Sequence, residues 1–124
     1  MVVPGTVTAS SDRKLKTQII PIENALEKVK KLRGVQFSYK SHGGKSIGLI
    51  AQELEKVFPE LVHGDELKSI AYQNLVAVLI EAVKDLCKDV EQRENSYIRM
   101  MANLNEKINN FIDKYEKDNV EGEN

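Results

Sequence analysis

The feature that most constrains this chain is a long C-terminal stretch without a helix breaker. From Gln73 to about Asp118 there is neither glycine nor proline, so these residues form one long helix or two stacked ones. Mostly apolar residues recur there at steps of four and three, the heptad spacing of a coiled coil. We call these residues the seam: Leu79, Val83, Leu86, Val90, Arg93, Tyr97, Met101, Leu104, Ile108, Phe111 and Tyr115.

The seam predicts that the chain associates with itself. A lone helix over 73–118 cannot bury such a stripe, so a coiled-coil partner is implied. The alternative is a helix packed on its own domain, but a body of about 60 residues is small for that length. One extra four-residue step, between Tyr97 and Met101, is a stutter that locally unwinds a supercoil. The acidic, polar residues 119–124 are expected to form a frayed tail.

Composition excludes several classes of function. A net charge of −1 argues against nucleic acid as a general partner, because phosphate binding needs a basic excess. No apolar run approaches the roughly 20 residues of a membrane span. Cys87 is the sole cysteine, so no internal disulfide can form. His42 and His63 have no second histidine at ligand spacing, so we expect neither a metal nor another cofactor.

The residues before the long helix predict a small mixed body. Helical spacing over 22–32, alternation over 35–40 with a return over 45–49, a short helix over 50–58 and a second hairpin bracketing 63–66 together indicate an α+β fold. We assign 11–72 to this body. The uncharged, β-branched residues 1–10 suit the remnant of a preceding β-rich stalk, or alternatively a disordered leader.

A serine and a lysine lie five residues apart at the start of the body. The hydroxyl of Ser11 needs a base before it can act as a nucleophile, and the amine of Lys16 can be that base only after losing its proton. Neighbouring cations or the apolar Leu15, Ile19 and Ile20 could favour that loss. Five residues is not a same-face helical spacing, so the pair has to meet through a turn. On spacing alone, an ordinary solvated basic stretch is the favoured alternative.

Several blocks of the sequence, in order over about residues 10–90, resemble the peptidase S74 family, the C-terminal intramolecular chaperone domain of phage tailspikes and endosialidases. They are Ser-Asp-Arg-Lys-Leu-Lys at 11–16, Ile-Glu-Asn-Ala-Leu-Glu-Lys-Val at 22–29, Leu-Arg-Gly-Val at 32–35, Ile-Gly-Leu-Ile-Ala-Gln-Glu at 47–53, Val-Phe-Pro-Glu-Leu-Val at 57–62 and Ala-Tyr-Gln-Asn-Leu-Val-Ala-Val-Leu-Ile-Glu-Ala-Val at 71–83.

The resemblance implies a function. Such a domain trimerises behind a fibre or spike, guides its assembly in the host cytoplasm during virion assembly, and then acts as a self-cleaving serine endopeptidase. Carried over by position, Ser11 is the nucleophile, Lys16 the general base, and the cut falls between Ser10 and Ser11. The implied partners are two further copies of the chain, in a trimeric coiled coil, and the preceding fibre domain. The alternative is a non-catalytic coiled-coil trimerisation module.

Overall fold

A computed structural model describes residues 5–122, and its fold is the α+β arrangement that the sequence predicts. A small body of short helices and hairpins precedes one long C-terminal helix. The first four residues of the expected stalk remnant and the last two of the expected tail lie outside the described residues. Residues 6–10 form no strand within the single chain. A strand needs a hydrogen-bonded neighbour, and no segment of the described chain pairs with them.

The C-terminal helix is unbroken from Tyr72 to Gly122, a length of about 77 Å. It is therefore one helix rather than two stacked ones. It begins one residue before the predicted range and continues four residues beyond it, so 119–122 are helical. We number the helices of the body α1 and α2 and call this one α3.

The elements of the body are shorter than their sequence patterns predict. They are α1 (Ala25–Val29), β1 (Val35–Ser38), β2 (Lys45–Gly48), α2 (Ala51–Glu55), β3 (Val62–His63) and β4 (Ser69–Ile70). The strands form two separate antiparallel hairpins, with Val35 opposite Gly48 in one and Val62 opposite Ile70 in the other.

Helix α1 begins at Ala25 rather than at Ile22 because Asn24 adopts a left-handed conformation with φ 56°. Asparagine tolerates that region better than most residues, and it ends regular helix on its N-terminal side. The side chain of Asn24 does not cap α1. The Leu26 N–H instead donates to the Asp85 carboxylate at 3.3 Å, so α3 satisfies the start of α1.

The core is small and lies where the body meets the first turns of α3. Its fully buried members are Ala25, Leu54, Phe58, Leu61, Val78 and Ala82. Only Val78 and Ala82 belong to α3, and every residue from Leu86 to Val120 is exposed. The single chain exposes 11338 Å², whereas a compact 14.0 kDa monomer exposes about 6,700 Å². The excess surface belongs largely to the extended helix, whose seam is left exposed.

Two polar contacts hold the body together. The Tyr72 hydroxyl accepts the Leu49 N–H at 3.0 Å, and it fills the space above Gly48, where a Cβ would lie 2.6 Å from it. Arg33 binds Glu53 through two hydrogen bonds of 2.7 and 2.9 Å. These hydrogen bonds lower the pKa of the Glu53 carboxyl below its ordinary value. The stabilisation is therefore present at neutral pH and is lost as pH falls through the lowered pKa.

We expect Leu54→Ala to lower the free energy of unfolding by about 2–5 kcal/mol, because Leu54 is 0% exposed and its truncation leaves a cavity in the core. Leu67→Ala is the matched control, since Leu67 is 91% exposed and should change stability little. Urea unfolding followed by circular dichroism measures both. Equal midpoints for the two variants would contradict this assignment of the core.

Candidate functional site

A single 3-10 turn, Arg13–Leu15, shapes the segment that contains Ser11 and Lys16. Asp12 is its N-cap, and the Asp12 carboxylate accepts the Lys14 N–H at 2.8 Å. The Asp12 carbonyl accepts the Leu15 N–H at 3.0 Å, and the Arg13 carbonyl accepts the Lys16 N–H at 3.1 Å. Asp12 is not among the residues predicted for the site, although aspartate is among the preferred N-cap residues and could have been recognised from the sequence.

The turn brings Ser11 and Lys16 together. The Nζ atom of Lys16 lies 2.6 Å from the Oγ atom of Ser11. A proton can pass directly between two atoms at this distance, as a nucleophile and its base require. Ser10, the residue before the predicted cut, precedes them in chain without regular structure.

The apolar neighbours of the pair do not cover it within one chain, contrary to the expectation that they could desolvate Lys16. Leu15, Ile19 and Ile20 are 72%, 60% and 82% exposed. We call residues 11–20 the arm. No hydrogen bond of the described chain links the arm to residues 21–72, and no hydrophobic residue of the arm packs against the core. The serine–lysine pair is therefore formed but open to water.

Other candidate chemistry finds no support among residues 5–122. The described residues contain no group of three metal-binding side chains. The Nδ1 atom of His42 accepts the Gly44 N–H at 3.0 Å, which is the role of a turn residue. Within the described range, no helix combines the length and the apolar character that a membrane span requires.

Comparison with known proteins relates the described chain to a family of chaperones. Residues 11–63 match the peptidase family whose description is chaperone of endosialidase, and the match begins at Ser11. The match covers fewer than half of the 124 residues and shows that this part of the chain is similar to that family, peptidase S74. Its members are self-cleaving peptidases.

Relatives of known name are phage tail-fibre proteins. The long tail fiber protein Gp37 of Enterobacteria phage K3 is 40% identical over 96 residues, which cover 68% of this chain and 8% of the relative. The Gp37 protein of phage T2 is also 40% identical, over 68% of this chain and 7% of the relative. That of phage Ox2 is 31% identical over 104 residues, 74% of this chain and 41% of the relative. This chain therefore spans less than a tenth of the length of the K3 and T2 relatives.

We expect Asp12→Ala to loosen the turn and to separate Ser11 from Lys16, because the Lys14 N–H loses its acceptor. Nuclear Overhauser contacts between the Ser11 β protons and the Lys16 ε protons should weaken several-fold. Asp12→Ser should keep them, since serine also caps. Asp65→Ala, in an exposed turn far along the chain, is the control. Unchanged contacts in Asp12→Ala would show that the cap does not position the pair.

Proposed function

We propose that this chain is an intramolecular chaperone that trimerises behind a phage fibre or spike, assembles it and then cuts itself off between Ser10 and Ser11. One observation carries the catalytic part: the 2.6 Å contact between Ser11 Oγ and Lys16 Nζ, within a segment where the family match begins. The fibre is supported by the tail-fibre relatives. On this proposal the domain works in the host cytoplasm during virion assembly.

The cut proceeds in two balanced steps. The neutral amine of Lys16 takes the Ser11 hydroxyl proton as Oγ attacks the Ser10 carbonyl carbon. The new C–O bond forms, the C–N bond between Ser10 and Ser11 breaks, and the Ser11 nitrogen leaves as an amine that accepts a proton. Water then hydrolyses the ester. Ser10 gains a carboxylate, the Ser11 hydroxyl is restored, and one water molecule is consumed. The mechanism uses only Ser11, Lys16 and water.

Assembly supplies what the single chain lacks. An amine acts as a base only in its neutral form, and exclusion of water favours that form for lysine. Leu15, Ile19 and Ile20, which are close to the pair in the sequence, are exposed in the single chain. A neighbouring copy packed on these side chains would exclude water from Lys16, so the cut would wait until the trimer has formed.

Release of the domain has a physical consequence for the fibre. A trimeric template lowers the free-energy barrier between separate chains and the fibre assembled in register. Its loss after assembly leaves the fibre with a higher barrier to unfolding. The fibre is then held by the height of its unfolding barrier rather than by equilibrium stability alone. The order of events, assembly first and cutting second, matters for this reason.

The second candidate is a trimerisation module without chemistry. It is favoured by the exposure of every residue from 11 to 20, which leaves Lys16 in water within one chain. Both candidates use the seam, and they differ only in whether a peptide bond is broken.

The cleavage proposal is tested with a chain that carries its preceding stalk. We expect release of a fragment of about 13 kDa, residues 11–124, visible by intact mass. Ser11→Ala and Lys16→Ala should abolish it. Lys16→Arg should abolish it too, because arginine keeps the charge but cannot lose its proton. Lys40→Ala is the control and should leave the release unchanged, since it removes an exposed lysine outside the segment of the pair. A fragment that persists in Ser11→Ala and Lys16→Ala would exclude this dyad. A trimer that stays uncut in every case would leave the non-catalytic module.

The assembly is tested with a charge in the seam. Light scattering should give three times the 14.0 kDa chain mass for the unmutated protein. Leu86→Asp should reduce that mass toward one chain, because a carboxylate would be buried between helices. Asn95→Asp makes the same change of charge two turns away from Leu86 and off the seam, so it should leave the trimer intact. A monomeric unmutated protein would contradict the proposed assembly.

A further inference from the structure

Arg93 is the one charged residue of the seam. The steps of three and four place it between Val90 and Tyr97, on the same stripe as Leu86 and Met101. Every other seam residue is aliphatic, aromatic or methionine. Closing the seam therefore brings a guanidinium into an otherwise apolar interface.

Within one chain the described structure gives Arg93 no partner. Its side chain is exposed, and the four ion pairs among residues 5–122 use other cations. Arginine cannot shed its charge when water is removed. A buried guanidinium without a carboxylate would strongly oppose assembly. Asp89 lies four residues earlier on the same helix but does not bind Arg93 in the described chain, so we look for the partner on another copy.

Two acidic residues flank the seam at this level. Asp89 precedes Val90, and Glu94 follows Arg93 directly. In a parallel, in-register coiled coil, residues beside the seam reach across to the neighbouring helix. Glu94 holds the flanking position next to the layer of Arg93, so the Glu94 carboxylate of one copy is the nearest acceptor for the guanidinium of the next.

The spacing of seam residues near Arg93 also departs from the regular heptad. The steps from Val90 to Arg93, Tyr97 and Met101 are three, four and four, so the supercoil unwinds beside Arg93. An open groove on the single helix is lined here by Asp89, Gln92, Arg93, Ser96 and Tyr97. Polar residues dominate its lining, unlike the apolar seam on either side. This groove suits a charged side chain of a second copy.

We infer that Arg93 forms an inter-subunit polar layer with Glu94 of a neighbouring copy, and that this layer sets a parallel, unshifted register. The inference rests on the self-association proposed above. A shift by one heptad, or an antiparallel arrangement, would place Arg93 against apolar layers. Only the unshifted parallel trimer satisfies all three guanidinium groups at once. The register matters for a chaperone, because it sets the axial alignment of the three chains where the fibre begins.

The first experiment removes the charge. Arg93→Leu should raise the melting temperature of the trimer by about 5 °C, because an apolar replacement of a buried ion pair is often stabilising. It should also loosen the register. Cys87, the sole cysteine and exposed in the single chain, takes a spin label for distance measurement. The unmutated trimer should give one short distance. Arg93→Leu should add a second, reflecting a slip of seven residues or about 10 Å along the axis.

The second experiment tests the pair itself. Glu94→Gln should lower the melting temperature of the trimer, whereas Glu91→Gln, the same change off the seam, should not. Arg93→Glu and Glu94→Arg should each weaken assembly. The double variant should recover most of the loss, because the two charges are exchanged rather than removed.

The outcomes separate this inference from the proposed function. A monomeric unmutated protein would overturn both. A trimer with a single label distance in Arg93→Leu, and with no recovery in the double variant, would overturn the polar layer and leave the proposed assembly standing. An antiparallel unmutated assembly would overturn the inference as well. Loosened register together with recovery would establish it.

Discussion

The structure depends on a mismatch of size: the core contains six buried residues, whereas helix α3 contains 51 residues. The core reaches only Val78 and Ala82 of α3, which lie on the face beside the seam rather than on it. The body therefore anchors the helix without covering its apolar stripe. Burial of apolar surface is the main favourable term in association, so on the proposed function the uncovered seam would drive self-assembly. The polar contacts of the body, between Arg33 and Glu53 and between Tyr72 and Leu49, fix its shape and add little to that drive.

The serine–lysine pair likewise combines a feature formed within one chain with one that assembly would supply. A capped turn of three residues is enough to bring the Ser11 hydroxyl to the Lys16 amine. Distance alone does not make a base, because an amine takes a proton only in its neutral form. On the proposed function, one chain supplies the distance between the two groups, and packing against another copy would exclude water from them. On the proposed function, this separation would keep an unassembled chain from cutting itself too early.

The arm precedes the hairpins and short helices of the body in the sequence, and the seam follows them. Both expose apolar side chains. On the proposed function, a second copy would cover both Leu15, Ile19 and Ile20 in the arm and the seam from Leu79 to Tyr115, all of which are exposed in the single chain. Assembly through the helix would bring the arms of the copies close together. On the proposed function, such coupling would let one event, helix association, govern both the guidance of the fibre and the timing of the cut.

The sequence by itself determined the long helix, the seam, the α+β class and the need for a turn between Ser11 and Lys16. These follow from spacing, breaker residues and capping, which act over a few residues. Only the tertiary structure decided how the start of α1 is satisfied, because the Leu26 N–H donates to Asp85, 59 residues away. It also decided that Leu15, Ile19 and Ile20 stay exposed rather than covering Lys16. Burial depends on which distant segments of the chain pack together, and the local spacing of apolar and polar residues does not specify that packing.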